Sequence, residues 1–286
     1  MRIRRLLAVG VLLGGVSQVG GQEISDTQAF PGVARLTGAP PSRWVSDVVV
    51  SNPNASRTEI GLQFLPERTS HTIFDLRFDH RETLGPGETR LFEDVLGTVF
   101  GYTTDIKGVL VVTCSDELLT SSSNGEDARI VATMRTYDVS SPVGTYGQTI
   151  PSNGEVTAFT GSASFVTGAR NDSQFRSNLG LVNVSFTDEV TIHYRFRKAD
   201  GQIIQEGSKT LGSLSMRQWS FSALGVGSVE GPILVELWMD PDDVSPDPCV
   251  EWPPANSFVA YVSKVDSRTQ DGEFMYAAPS EIPYCD

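Results

Sequence analysis

Along residues 190–197 apolar and polar side chains alternate without a break, with Val190, Ile192, Tyr194 and Phe196 on one side and Thr191, His193, Arg195 and Arg197 on the other. A period of two belongs to a β-strand, whose successive side chains point to opposite faces, so this segment predicts a strand with one buried and one wet face. Comparable short runs rich in β-branched and aromatic residues fall at 44–51, 59–65, 72–78, 89–92, 108–114 and 129–137. A second series falls at 175–184, 189–197, 203–211, 216–221, 233–239 and 257–265. Turn residues separate the runs, among them Asn52-Pro53-Asn54, Gly85-Pro86-Gly87 and Ala199-Asp200-Gly201. Helical spacing occurs at 92–100, where Phe92, Val95, Leu96, Val99 and Phe100 line one side and Gly101 supplies a stop.

The two series resemble each other residue by residue. Leu36-Thr37-Gly38-Ala39 is matched by Val166-Thr167-Gly168-Ala169, Ser42-Arg43-Trp44-Val45-Ser46-Asp47 by Ser173-Gln174-Phe175-Arg176-Ser177-Asn178, and Val48-Val49-Val50-Ser51-Asn52 by Leu179-Gly180-Leu181-Val182-Asn183. Arg90 answers to Arg217 and Asp138 to Asp266, while Gly144, Tyr146, Pro151 and Ser152 answer to Gly272, Phe274, Pro279 and Ser280 at a spacing of about 128 residues. Matches in one order at nearly one spacing mark a duplicated module of roughly 120 residues. A sheet must bury its apolar face against another layer. About seven short strands per module therefore predict an all-β fold of two tandem Ig-like antiparallel β-sandwich domains, with a short helix in the first. The expected division is a signal segment over 1–21, one sandwich over 22–150 and a second over 151–286, joined by a short linker at 150–160. The Cys, Trp, Cys spacing of antibody domains is absent, so the likeness is architectural. Arg90, Arg217, Asp138 and Asp266, kept in both copies with the glycines and core apolars, read as scaffold residues.

The run Arg43-Trp44-Val45-Ser46-Asp47 through Asn52-Pro53-Asn54, then Leu84-Gly85-Pro86-Gly87-Glu88-Thr89, the segment 92–101, Arg135-Thr136-Tyr137 and Gly144-Thr145-Tyr146-Gly147-Gln148 resembles secreted tandem Ig-like proteins of environmental bacteria. The resemblance covers nearly the whole chain beyond the signal segment. It implies the sandwich fold and export, and it carries no catalytic residue with it.

Export is also written at the N-terminus. Arg2, Arg4 and Arg5 precede an apolar stretch over 6–16 and the small residues Val19, Gly20 and Gly21, the layout of a secretory signal. About 11 apolar residues span only half of a hydrocarbon core, which argues against stable membrane insertion. The expectation is a secreted protein, extracellular or periplasmic, cleaved after Gly21. The full chain carries a formal net charge of −13, and loss of the three arginines takes it to about −16, a sign that repels phosphate backbones and excludes nucleic acid as a partner.

Candidate chemistry is sparse. The histidines are His71, His80 and His193, with no HExxH, no paired-histidine spacing and no Gly-x-Ser-x-Gly elbow, so zinc hydrolase and Ser-His-Asp readings lack their parts. His71 and His80 flank the predicted strand at 72–78 and read as loop residues. Beyond residue 239 an insertion holds Asp240, Asp242, Asp243, Asp247 and Glu251 among prolines, without Lys or Arg. Clustered oxygen ligands on a stiff loop suit calcium, and Asp240, Asp242, Asp243 and Asp247 form the candidate metal set. Cys249 in this insertion and Cys285 near the C-terminus are the expected disulfide of an oxidising compartment, whereas Cys114, inside a β-rich run, is expected buried and free. The first module carries an equivalent loop at 117–127. Trp44 and Trp238 align with Phe175 and Cys114 and are expected in the core; Trp252, beside Pro253 and Pro254, is the candidate sugar platform together with Glu251. The functional expectation is a non-enzymatic binding or structural protein whose partner is a protein or polysaccharide at the cell exterior. A carbohydrate-binding module using Trp252 and the acidic loop, with calcium, is the alternative, and a hydrolase with a carboxylate pair the third.

Overall fold

The computed structural model describes residues 24–280 except 39, 69, 73–77, 79, 117, 120–122, 126, 143, 153–157, 160–162 and 241–256. The first half holds β1 (Thr27–Thr37), β2 (Arg43–Ser51), β3 (Thr58–Pro66), β4 (His80–Leu84), β5 (Thr89–Phe92), the one-turn helix α1 (Val95–Thr98), β6 (Ile106–Thr113), β7 (Val131–Asp138) and β8 (Tyr146–Ile150). After the short β9 (Ala158–Phe159) come β10 (Ser164–Asn171), β11 (Phe175–Asn183), β12 (Val190–Lys198), β13 (Ile203–Leu211), β14 (Met216–Ser220), a 3₁₀ turn (Ser222–Leu224), β15 (Val229–Met239), β16 (Ser257–Asp266), β17 (Gly272–Tyr276) and β18 (Ala278–Pro279).

Sheet order repeats between the halves. In the first, β4-β3-β6-β1 faces β5-β2-β7-β8, and the last two residues of β1 cross over to pair with β2 and join the layers. In the second, β13-β12-β15-β10 faces β14-β11-β16-β17, each strand standing nine places after its counterpart. All pairings are antiparallel, and each pair of layers encloses its own apolar core: Phe30, Ile60, Leu62, Val48 and Met134 belong to one, Phe196, Phe221, Leu181, Leu237 and Phe258 to the other. The fold is thus the expected all-β sandwich. Its first strand bonds to the sixth, unlike the immunoglobulin order of ABED over CFG, which keeps the likeness architectural.

Several expectations are corrected. β1 and β10 carry no clean alternation because each is interrupted by a glycine in the left-handed region, Gly32 at φ +87° and Gly168 at φ +84°, where the ladder to β6 or β15 shifts register. Two residues beyond each glycine a buried serine grips the backbone: Ser46 Oγ bonds Ala34 N and O, and Ser177 Oγ bonds Arg170 N and O. Gly168 therefore corresponds to Gly32, not to Gly38 as the sequence match suggested. The helix is one turn, since Phe92 ends β5 and Val95 and Leu96 alone of α1 are buried. His80 opens a strand and is not a loop residue, while most of the strand expected at 72–78 lies outside the described residues.

The largest departure concerns the wet faces. A third apolar cluster joins Leu65 and Val109 of the first half to Val182, Met216, Val259 and Tyr261 of the second. The outer face of β3-β6-β1 is packed against the outer face of β14-β11-β16-β17, while β4 at the edge keeps Arg81 and Thr83 exposed. Polar contacts rim this seam: Arg68 N donates to Met216 O at 3.1 Å, His71 N to Ser213 O at 2.9 Å, Gln218 N to Glu67 Oε1 at 2.8 Å and Ser263 Oγ to Gln148 Oε1 at 3.0 Å.

Cys114 is fully buried in the first core and free, as expected. Burial pushes its thiol up to about 12, which removes the nucleophilic thiolate at neutral pH. Iodoacetamide at pH 8 is therefore expected to leave Cys114 unmodified in the native chain and to label it fully in denaturant, read by peptide mapping. Labelling at the denatured rate without denaturant would contradict this burial.

Candidate functional site

Alternation along β12 sends Val190, Ile192, Tyr194 and Phe196 into the core and turns His193, Arg195 and Arg197 outward. β15 does the same, burying Ile233, Val235, Leu237 and Met239 and turning Glu236 and Trp238 to the same outer face. Register then sets the neighbours: His193 stands opposite Trp238 and Ser208, and Arg195 opposite Glu236 and Glu206, with Phe165 of β10 beyond Glu236. Trp238 is thus not a core residue. The parity of Ile233 to Met239 already placed it outward, and the alignment with buried Cys114 misled.

The side chains on this face form a continuous ladder. Asp240 Oδ2 lies 3.1 Å from His193 Nε2, the His193 ring stacks on Trp238 with centroids 5.5 Å apart and planes 14° apart, and the Arg195 guanidinium lies 4.9 Å from the Trp238 ring centroid. Arg195 pairs with Glu206 and, at 3.2 Å, with Glu236, which Arg197 also holds at 3.2 Å. The bond to Glu206 is the main reason the Arg195 guanidinium is held above the ordinary arginine value. Water screens exposed pairs of this kind, so each adds little to stability. Asp240, 57% exposed, is the most open carboxylate of the ladder, and Phe165, 36% exposed, lies beside Glu236 on the same sheet.

Of the predicted metal set, Asp240 is described; Asp242, Asp243, Asp247, Glu251, Trp252 and the cysteines Cys249 and Cys285 lie outside the described residues. No group of three or more His, Cys, Asp or Glu among the described residues is arranged to hold a metal ion. The equivalent loop of the first half is tied down by Asn124, whose Nδ2 donates to Glu59 O and Cys114 O and whose Oδ1 accepts from Glu59 N, while Asp116 receives the Asn124 and Gly125 N–H groups. Trp44 is half-buried, and Trp219 leans on the second core beneath Arg217 and Lys209.

The two paired scaffold acids turn loops. Burial alone would raise the Asp138 carboxyl, but bonds from Ser140, the Arg43 N–H and Ser42 outweigh it and hold it below the usual range. Asp266 is lowered by the Thr269 and Arg268 N–H groups. The paired arginines differ: Arg90 bridges Glu82 and Glu88 at 2.6 and 2.9 Å, whereas Arg217 covers Trp219.

Fold and surface together define an antiparallel β-sandwich protein with one open, charged and aromatic sheet face; among the described residues no helix is long and apolar enough to cross a membrane. No protein-family model and no curated protein matches the chain. Solved structures similar to part of it include two of Bacteroides uniformis β-glucuronidase, one of them β-glucuronidase 2, each at 10% identity over 82% of this chain, with TM-scores of 0.15 and 0.17. The chain spans about a quarter of the length of those structures, 25% and 26%. Superposition at that level carries no argument about activity.

Proposed function

We propose that the protein is exported and serves as a non-enzymatic binding or structural element outside the cytoplasm, built from two copies of one sandwich module. Its contact surface is the outer face of β13-β12-β15-β10 with the acidic insertion that follows Asp240. The observation that carries this reading is an asymmetry between the copies. In the first half the apolar part of the corresponding face, Ala29, Leu65, Val109 and Val111, is packed under the second half. In the second half it bears Phe165, His193, Arg195, Glu236 and Trp238, and among the described residues no strand packs over it. Loops and faces on a rigid sandwich are where such proteins place recognition. Glu236, clamped by two guanidiniums, is suited to holding a surface in shape rather than to moving protons.

A polysaccharide is the ligand class this face fits, because Trp238 offers a half-buried ring at the root of the insertion that carries Trp252 and Glu251, and sugar C–H faces stack on such rings. Affinity electrophoresis in gels containing soluble polysaccharides, with reducing ends assayed in parallel, tests both statements. The expected result is retardation by at least one polysaccharide, lost by about tenfold in Trp238→Ala, and no release of reducing ends. Release of reducing ends would make the protein a hydrolase, and retardation unchanged in Trp238→Ala would remove this face from the binding site.

A further inference from the structure

A groove of about 600 Å³ opens where the seam between the halves ends, walled by Pro41, Ser140 and Tyr146 from the first half and by Arg176, Ser267 and Gln270 from the second. Along β11 the outward row Val182, Gly180, Asn178, Arg176 starts inside the apolar seam and runs out into this groove. Arg176 is its charged end. Gln270, at φ +64°, uses its Nε2 on Ser267 O and so turns its Oε1 to the Arg176 guanidinium at 2.5 Å.

Among the described residues no carboxylate pairs with Arg176, and burial alone pulls its guanidinium below the ordinary arginine value. The acids near it are engaged elsewhere. Asp138, which also lines the groove, accepts from Arg43 N, Ser140 N and Ser140 Oγ, and Asp266 accepts from the Arg268 and Thr269 N–H groups. Arg268 adds a second cation to the lining. A half-desolvated guanidinium with one neutral partner leaves donor positions for a planar anion, which a fork of N–H groups binds bidentately.

We propose that this groove binds a small hydroxylated carboxylate, with Arg176 taking the carboxylate and the serine, threonine and tyrosine hydroxyls of the lining taking the ligand's own hydroxyls. The volume is within the range of about 300–1,000 Å³ usual for ligand-binding clefts. Neutral sugars lack the anion that Arg176 requires, and plain dicarboxylates lack partners for the hydroxyl-rich wall.

Calorimetric titration of the full chain with gluconate, sorbitol and succinate separates these terms. Gluconate is expected to bind saturably at millimolar concentration, succinate more weakly, and sorbitol not at all. Arg176→Gln is expected to weaken gluconate by at least about tenfold, while Arg217→Gln, on β14 over Trp219 and outside the groove lining, leaves it unchanged. Arg176→Lys keeps the charge without the fork and serves if the glutamine variant does not fold; a loss of about threefold or more is expected. Absence of saturable gluconate heat, equal binding of sorbitol, or wild-type affinity in the Arg176 variants would overturn the proposal.

Discussion

Asn183→Ala is expected to unfold roughly 6–12 °C below the wild type, a loss of about 3 kcal/mol. Asn183 is fully buried at the end of β11. Its Nδ2 donates to Asp188 O at 2.7 Å, Leu211 O at 3.1 Å and Gly212 O at 2.8 Å, and its Oδ1 accepts from Ser185 N at 2.8 Å. Two amide hydrogens serve three carbonyls, so one is shared. Alanine strands all four backbone groups, and each costs about 1–3 kcal/mol where water cannot reach it. Some of that is recovered at the partly exposed Asp188 and Gly212 carbonyls. Asn52 performs the same task in the first half, donating to Ser56 O, Leu84 O and Gly85 O and accepting from Asn54 N. Asn52→Ala should therefore match Asn183→Ala in size, and aspartate at either place should be at least as damaging, since a carboxylate would face three carbonyl oxygens. Urea melts check the pair; a loss under about 1 kcal/mol in both would show that these amides are not the knots that close the two hairpins.

The second large effect is expected at Gly180. A Cβ there would lie 2.0 Å from Tyr261 Cζ, and the ring cannot swing aside because it is fully buried and stacked on Phe274 at 4.5 Å. Gly180→Ala is expected to cost about 3 kcal/mol, the upper end of ordinary overpacking. Tyr261→Ala alone should cost about 3–5 kcal/mol by leaving a cavity in the seam. The double variant should lose less than the sum, with coupling of about 2 kcal/mol, because the added methyl then enters the emptied space. Additive losses in a double-mutant cycle would mean that the two residues, paired between β11 and β16, do not meet on the seam face of their sheet.

What could be read from the sequence follows from what surrounds each strand. β12 was legible because one of its faces is core and the other is solvent, so its pattern keeps a period of two. β16 is buried continuously from Ser257 to Ser263, since both of its faces are covered, and a run without alternation gives no hint of which neighbour covers the second face. β1 and β10 were missed through the bulges at Gly32 and Gly168, and the same glycines drew the repeat out of register there. The match of Asn52 with Asn183 was visible, but their role depends on carbonyls around 30 residues away that only the closed hairpin brings near. His193 on a wet face was readable; its stacking on Trp238 required the register of β12 against β15. Arg176 gave no signal, because its groove is assembled from turns of both halves.

Because one buried seam joins the halves, they are expected to behave as a single cooperative unit. Amide hydrogen exchange of Tyr261→Ala, followed peptide by peptide, tests it most directly. Tyr261 belongs to β16, yet peptides of β6 in the first half are expected to lose protection by about a hundredfold or more along with those of β16, as global stability falls. Faster exchange confined to the second half, with β6 protected as in the wild type, would contradict it.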